Sequence, residues 1–587
     1  MHWDRRNAQF YDPSSEDGPA CQRGLDTEGL TEGNMKKKRM SRRAFLKEVG
    51  AGALAAPVLS KVVGGAAAYA ESADSRAVEF PMLQSGRSRR PNVLFIATDD
   101  CCNRLGVYSN PVVKTPSLER LAKSSLRFDH AYCQYPWCSP SRTSLLTGLS
   151  PDTTKVYDLS THFREVLPDV VTLPQAFLNN GYFTARAGKI YHYGNPDQIG
   201  TCGLDDPSSW NETANPAGVD HVREEAFLTN FTPQNRPKLS GRRPGGWPGE
   251  GNSKGARVPG DGGLGASIAM YESKSSPQLH TDYLVAEAAI AMLETRRKQP
   301  NDPWFIGVGF YKPHVPWIIP SEYFDMYPLR EIQATPFDSD EMHIAPAWAY
   351  ITKTPNYGMT TDQCRQAIRA YYAAASFMDS NIGRLLDALQ RLGLADNTTI
   401  VFWADHGWQL GEHGQWEKQT LFEPAARVPL MIGGAGVLAA GQACARTVEH
   451  LDIYPTLVEL CSLQGVPSNL HGQSLAPLLS NPGAIWSKPA ITQIFRPGNY
   501  SPPWGGPNIP AGGIMGYSIR NERYRYTSWK QGSEGEELYD YQADPRELQN
   551  LAANGRAAPV KAALSAELER ICRQRGMANA PGALKES

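Results

Sequence analysis

The chain has 587 residues, with 59 Lys and Arg against 60 Asp and Glu, so its net charge is −1. That balance argues against recruitment by overall charge to nucleic acid or an anionic membrane, and the length allows several domains with their own cores. Hydrophobic residues at 41% and charged residues at 20% exclude general disorder, and ten cysteines without CxxC pairs exclude a disulfide framework or a structural zinc site.

In chain order, Lys36-Lys37-Lys38-Arg39 leads into Ser41-Arg42-Arg43-Ala44-Phe45-Leu46-Lys47, and an Ala- and Gly-rich apolar run follows from Val49 to Ser60. The run is shorter than the roughly 20 residues a bilayer span needs, and Ala68-Tyr69-Ala70 offers a small-x-small cleavage site. The paired arginines resemble a twin-arginine export signal, which a receptor reads and which leaves no permanent membrane anchor. Residues 1–70 are therefore expected to be an N-terminal extension and signal, with Met35 a second plausible start, and 71–90 a polar linker.

Folded structure is expected from Pro91. Asn92–Ala97 is a short unbroken apolar run, the pattern of a strand buried on both faces of a parallel sheet, and it ends in Thr98-Asp99-Asp100. The same form recurs at Trp304–Phe310, followed by Lys312-Pro313-His314, and at Thr399–Ala404, followed by Asp405-His406-Gly407. Between the last two runs, Ile368, Tyr371, Tyr372, Ala375, Met378, Ile382, Leu385, Leu386 and Leu389 give one apolar helical face. Strands alternating with helices indicate an α/β fold with a large, mostly parallel sheet, in which ligands bind beyond the carboxyl ends of the strands. Residues 196–280, with the glycine-rich stretch from Arg242 to Gly265, read as a loop insertion. After about Pro482 the alternation in Tyr517–Arg520 and Tyr524–Thr527 predicts a smaller antiparallel sheet, giving domains 91–482 and 483–587.

Two strand ends carrying Asp99 and Asp100, and Asp405 and His406, would gather three carboxylates and an imidazole, a charge that calls for a divalent cation. Oxygen-rich ligation favours Ca2+ or Mg2+ over zinc. In Cys138-Ser139-Pro140-Ser141-Arg142, Pro140 suits a first helical turn, so Cys138 is expected at a helix N-terminus, where amides favour an anion, with Arg142 on the same face. A cysteine alone is more often an inert small hydrophobe.

Cys138-x-Pro140-x-Arg142 with Leu145-Leu146-Thr147-Gly148 resembles the sulfatase motif, and Gly181–Thr184 through Gly188-Lys189-Ile190-Tyr191-His192 resembles that family's second motif. With Asp99-Asp100, Lys312-Pro313-His314 and Asp405-His406-Gly407 in the family's order, the resemblance covers about Pro91 to Leu479. Pro151–Asp158, Lys312–Pro316 and Asp405–Lys418 look like the iduronate-2-sulfatase-like branch.

The resemblance implies an alkaline phosphatase-like fold and a sulfate-ester hydrolase acting on a sulfated carbohydrate. It implies that a formylglycine-generating enzyme converts Cys138 to formylglycine in the cytoplasm, after which the twin-arginine machinery exports the folded protein to the periplasm or outside. The metal set would be Asp99, Asp100, residue 138, Asp405 and His406. The hydrated aldehyde, activated by the metal and Arg142, would attack sulfur, with Lys189 and Lys418 holding the sulfate oxygens. His314 would protonate the leaving alcohol, and His192 would take the proton that restores the aldehyde. Two alternatives stay open: a phosphonate or phosphate ester hydrolase of the same superfamily, and an inactive protein that binds sulfated glycan. Arg120, Arg164, Arg520 and Arg523 receive no role.

Overall fold

Asn92–Asp99 (β1) is buried at every position, as its apolar run requires. In the computed structural model, which describes residues 90–232, 267–498 and 512–577, this strand lies inside an eight-stranded sheet. The other members are β2 (Ser125–Tyr132), β3 (Phe183–Gly188), β4 (Glu212–Ala214), β5 (Trp304–Pro313), β6 (Thr398–Ala404), β7 (Arg427–Gly434) and β8 (Ala443–Glu449). Their order across the sheet is β8-β2-β7-β6-β1-β5-β3-β4. Strands β6, β1, β5, β3 and β4 run parallel, as do β8 and β2. Only β7 opposes its neighbours β2 and β6. The fold is therefore the mixed, mostly parallel sheet that the sequence predicts.

Helices flank this sheet. The first to matter is α1 (Cys138–Thr147), whose residues are all buried. Next come α2 (Thr281–Arg297) and α3 (Thr361–Arg391), which pack on each other and on β5. Helix α3 starts with a reciprocal Thr360–Gln363 capping box, and the predicted apolar face is buried from Ile368 to Leu389, with Leu386 half-buried.

Part of the 196–280 segment departs from a loop reading. Glu212–Ala214 forms the edge strand β4, and Ala269–Ser273 pairs with Thr229–Asn230 and with Trp317–Pro320 in a three-stranded sheet. Strands this short carry too few side chains to register as a period. The signal, the linker up to residue 89 and the Arg242–Gly265 stretch lie outside the described residues.

Toward the C-terminus, β9 (Ala490–Arg496), β10 (Ile514–Arg520), β11 (Tyr524–Trp529) and β12 (Glu536–Asp540) form an antiparallel sheet in sequence order. Helix α4 (Ala558–Gln574) covers it through Leu564, Leu568 and Ile571 on Ile519, Tyr526 and Leu538. Polar bonds tie this sheet to the large one: Thr492 Oγ1 donates to the Cys133 carbonyl at 2.7 Å, and the Gln493 amide to the Gln134 carbonyl at 2.9 Å. Three of the four unassigned arginines pair locally, Arg120 with Asp387, Arg164 with Asp206 and Arg523 with Asp540. Arg520 instead joins Arg525 around Glu423, between the two sheets.

Candidate active site

Because β6, β1 and β5 are adjacent and parallel, their carboxyl ends reach one edge together: Thr98 pairs with Ala404 and Asp99 with Pro313. The residues that follow, Asp100, His314, Asp405 and His406, therefore meet. The backbone turns at once after β1, where Asp100 takes a left-handed φ of 60°. Lys189 comes from the end of β3. There Gly188 has a φ of +73°, and a Cβ on Gly309 would lie 1.9 Å from the Lys189 carbonyl oxygen, so two glycines let the backbones approach. Cys138 is the first residue of α1, after an extended Trp137, and the helix closes on left-handed Gly148.

The sequence-predicted residues converge. Cys138 Sγ lies 3.2 Å from His406 Nε2, 3.6 Å from Lys418 Nζ and 4.0 Å from Asp100 Oδ1. Lys418 Nζ donates to both Asp100 carboxylate oxygens at 2.7 and 2.8 Å and lies 3.0 Å from His314 Nε2. Lys189 Nζ donates to Asp99 Oδ2 at 2.7 Å. His192 is buried, its Nδ1 without a hydrogen-bond partner among the described residues. Arg142 is fully engaged by protein acceptors. A guanidinium has five N–H donors, and here they reach Asp405 Oδ2, Asp99 Oδ1 and the carbonyls of Thr98, Lys189 and Ile190. Arg142 thereby holds the carboxylates of Asp99 and Asp405.

Electrostatics follow from burial. Burial alone would raise Asp99, but Lys189, His314 and Arg142 outweigh it and hold the carboxyl well below its usual range. Burial pushes Asp100 well above that range, against Lys418 and with help from the charges of Asp99 and Asp405. Burial lowers His406 to about 4. It also depresses His192, aided by Lys189, and His314, aided by Lys418. The Cys138 thiol is raised by burial despite both lysines.

The donor set fits a divalent cation. Oxygens of Asp99, Asp100 and Asp405 lie within 4.8 Å of one another, as do donor atoms of Asp100, Cys138 and His406. His406 Nδ1 lies 2.9 Å from the Gly407 carbonyl, which can only accept, so Nδ1 carries the proton and Nε2 presents a lone pair. That lone pair faces Asp100 Oδ1 at 3.3 Å and Asp405 Oδ2 at 3.6 Å, a repulsive contact that a cation between them would relieve. Arg142, Lys189 and Lys418 already oppose the three carboxylates, a pairing that chain order alone does not reveal.

Several neighbours had no sequence signal of their own. Tyr371, read as part of an apolar helix face, donates its hydroxyl to the Asp100 carbonyl at 2.8 Å. Trp408 stacks on Tyr371 and lies under Lys418 Nζ, 5.3 Å from the ring centroid. Asn195 Nδ2 reaches Asp99 Oδ2 at 3.4 Å.

Comparison with known proteins agrees with this geometry. The Sulfatase family profile matches residues 91–463, and that of N-sulphoglucosamine sulphohydrolase, C-terminal, matches 411–574. Iduronate 2-sulfatase of Homo sapiens is 32% identical over 534 residues, covering 78% of this chain and 90% of that protein. Choline-sulfatase of Rhizobium meliloti is 30% identical, covering 81% and 85%. The fold is shared with a structure solved in complex with its substrate D-glucosamine-2-N,6-O-disulfate, at a TM-score of 0.60, 22% identity and coverage of 85% and 100%. It is shared also with phosphonate monoester hydrolase of Agrobacterium radiobacter, at 0.63, 23% identity and coverage of 83% and 96%. With the family profile spanning most of the chain and its motif residues gathered at one sheet edge, the chain belongs to the sulfatase family, enzymes that hydrolyse sulfate esters.

Proposed function

We propose that this sulfatase removes sulfate from a carbohydrate, on the pattern of iduronate 2-sulfatase, with residue 138 as formylglycine and Ca2+ as the preferred cation. The observation that carries the reading is the placement of Cys138: a buried helix N-terminus whose sulfur touches His406, Lys418 and Asp100 together. Asp99, Asp100, residue 138, Asp405 and His406 would hold the cation, and three carboxylates favour a hard ion. A bound cation supplies Lewis-acid polarisation of oxygen and lowers the pKa of an oxygen nucleophile.

The chain's own residues do the rest. Lys189 and Lys418 offer ammonium groups to a sulfate ester's nonbridging oxygens, where charge grows in the transition state. Arg142 keeps Asp99 and Asp405 in register. His314 projects Nε2 beside Lys418, in position to protonate a leaving alcohol once the anionic sulfate ester favours the imidazolium. His192, with Nδ1 unpartnered, is the base for turnover.

Maturation by a formylglycine-generating enzyme and export through the twin-arginine route belong to the same proposal, supported by the Cys138 motif and by Arg42-Arg43. No helix among the described residues is long and apolar enough to cross a membrane. The test is sulfate release from uronate 2-sulfated disaccharides by protein matured with such an enzyme, beside turnover of an aryl phosphonate. Sulfate release that exceeds phosphonate turnover supports the reading; the reverse order favours a phosphonate hydrolase, and no turnover of either favours a binding protein.

A further inference from the structure

Lys312-Pro313-His314-Val315-Pro316 presents His314, yet its two prolines lack N–H groups, so backbone pairing through its own donors is sparse; the His314 amide donates to the Tyr311 carbonyl at 3.1 Å. Side chains pin it further through its carbonyls. Trp317 Nε1 donates to the Pro313 carbonyl at 2.7 Å. Lys312 Nζ donates to the His314 carbonyl at 3.3 Å and to the Pro316 carbonyl at 2.7 Å. His314 Nδ1 donates to the Val315 carbonyl. Every carbonyl from Pro313 to Pro316 thus accepts from a side chain. From the other side, Asp282, on the first turn of α2, accepts the Tyr311 amide at 2.8 Å and the Lys312 amide at 3.0 Å.

Lys312 is 5% exposed, so its ammonium is buried with Asp220 and Asp282 as compensating charge. Burying a lysine is expensive, and a neutral donor could have satisfied two carbonyls. What the lysine adds is reach: a single Nζ bridges the carbonyls on both sides of Val315 and fixes the peptide planes that aim the imidazole. The His314 Nδ1 bond to Val315 depends on that orientation, and it directs Nε2 to Lys418, 3.0 Å away.

We infer that Lys312 is a positioning residue for His314, acting with Asp282 to hold the imidazole where it can protonate the leaving alcohol. The inference rests on the reading of His314 given under Proposed function. As a hydroxyl oxygen of hydrated formylglycine 138 bonds to sulfur, the S–O bond to the leaving group breaks and its electron pair stays on the alcohol oxygen, which takes the proton from His314 Nε2. A misplaced imidazole therefore penalises poor leaving groups, such as sugar alcohols, and spares good ones, such as nitrophenols. Loss of structure would penalise both alike.

The experiment measures kcat on a sugar sulfate and on 4-nitrophenyl sulfate for the matured enzyme and for Lys312→Met, Lys312→Gln and His314→Ala. The sugar-to-aryl ratio is expected to fall about 10- to 100-fold in Lys312→Met, from misplacement of a general acid. It should fall less in Lys312→Gln, whose amide reaches one carbonyl, and most in His314→Ala. A crystal structure of Lys312→Met should show the imidazole moved off Lys418. A ratio that drops in His314→Ala but holds in Lys312→Met overturns the Lys312 inference alone. A ratio unchanged in His314→Ala overturns the role of His314, and the inference with it. Failure of both Lys312 variants to fold would also overturn it, making the residue a folding element.

Discussion

Arg142 and Lys418 are both buried cations against carboxylates, but their surroundings give them different work. Arg142 has each N–H engaged by protein, bridging Asp99 and Asp405. A lysine there reaches one carboxylate at most, so Arg142→Lys should lower Ca2+ affinity about 10- to 100-fold, the usual effect of losing a group that orients metal ligands. Calorimetric Ca2+ titration measures it, and unchanged affinity would show that the carboxylates hold their places unaided. Lys418 faces the Cys138 sulfur as well as Asp100. Lys418→Met should cost about 10²- to 10³-fold in kcat, the scale of one transition-state donor, whereas a change confined to KM would confine the lysine to ground-state binding. Asp99, Asp100, His314, Asp405 and His406 were legible in sequence because they follow apolar runs, whereas His192 was legible only through the resemblance to the family's second motif. Arg142's bonds to Asp99 and Asp405 were not, since they join side chains 43 and 263 positions apart.

At the level of elements, the contact between the two sheets is ionic as well as apolar. Glu423, just before β7, meets Arg525 and Arg520 of the C-terminal sheet and accepts the Tyr132 hydroxyl at 2.8 Å. Burial would raise its carboxyl, but Arg520, Arg525 and Arg427 bring it from 4.5 down to about 2. A carboxyl depressed on folding stabilises above its unfolded pKa and loses that contribution as pH falls through its folded value. The window is therefore about pH 4.5 down to 2, and the contribution at neutral pH is roughly 3 kcal/mol. Glu423→Gln should be destabilised by about that amount at pH 7, with the gap closing as pH falls toward 2, in urea unfolding followed by fluorescence. A gap that does not vary with pH would contradict the linkage. The strands β1, β5 and β6 were legible as unbroken apolar runs, β10 and β11 as alternating ones, and helix α3 by its helical period. Strand β4 was not, because three residues on a sheet edge have no period, and the small sheet around Ala269–Ser273 is built the same way.

Across the whole molecule, the large sheet carries the site and the C-terminal sheet braces it. Arg575, just past α4, makes a two-pronged pair with Glu449 of β8 at 3.0 and 2.7 Å, in addition to the Glu423 contact. Buried pairs of this kind are costly to break one partner at a time, so the two sheets should unfold together. Calorimetry is expected to record one transition, and two well-separated ones would contradict the coupling. Because the cation site is assembled from three chain segments, Ca2+ should bind only the folded state. At a hundredfold excess over its Kd it should add about 2.7 kcal/mol, lost on chelation and regained on re-addition. The most direct test of the central claim is the mass of the peptide bearing residue 138 after co-expression with a formylglycine-generating enzyme. Sulfur replaced by oxygen is the predicted result, and an intact Cys138 thiol under those conditions would contradict a formylglycine-dependent sulfatase.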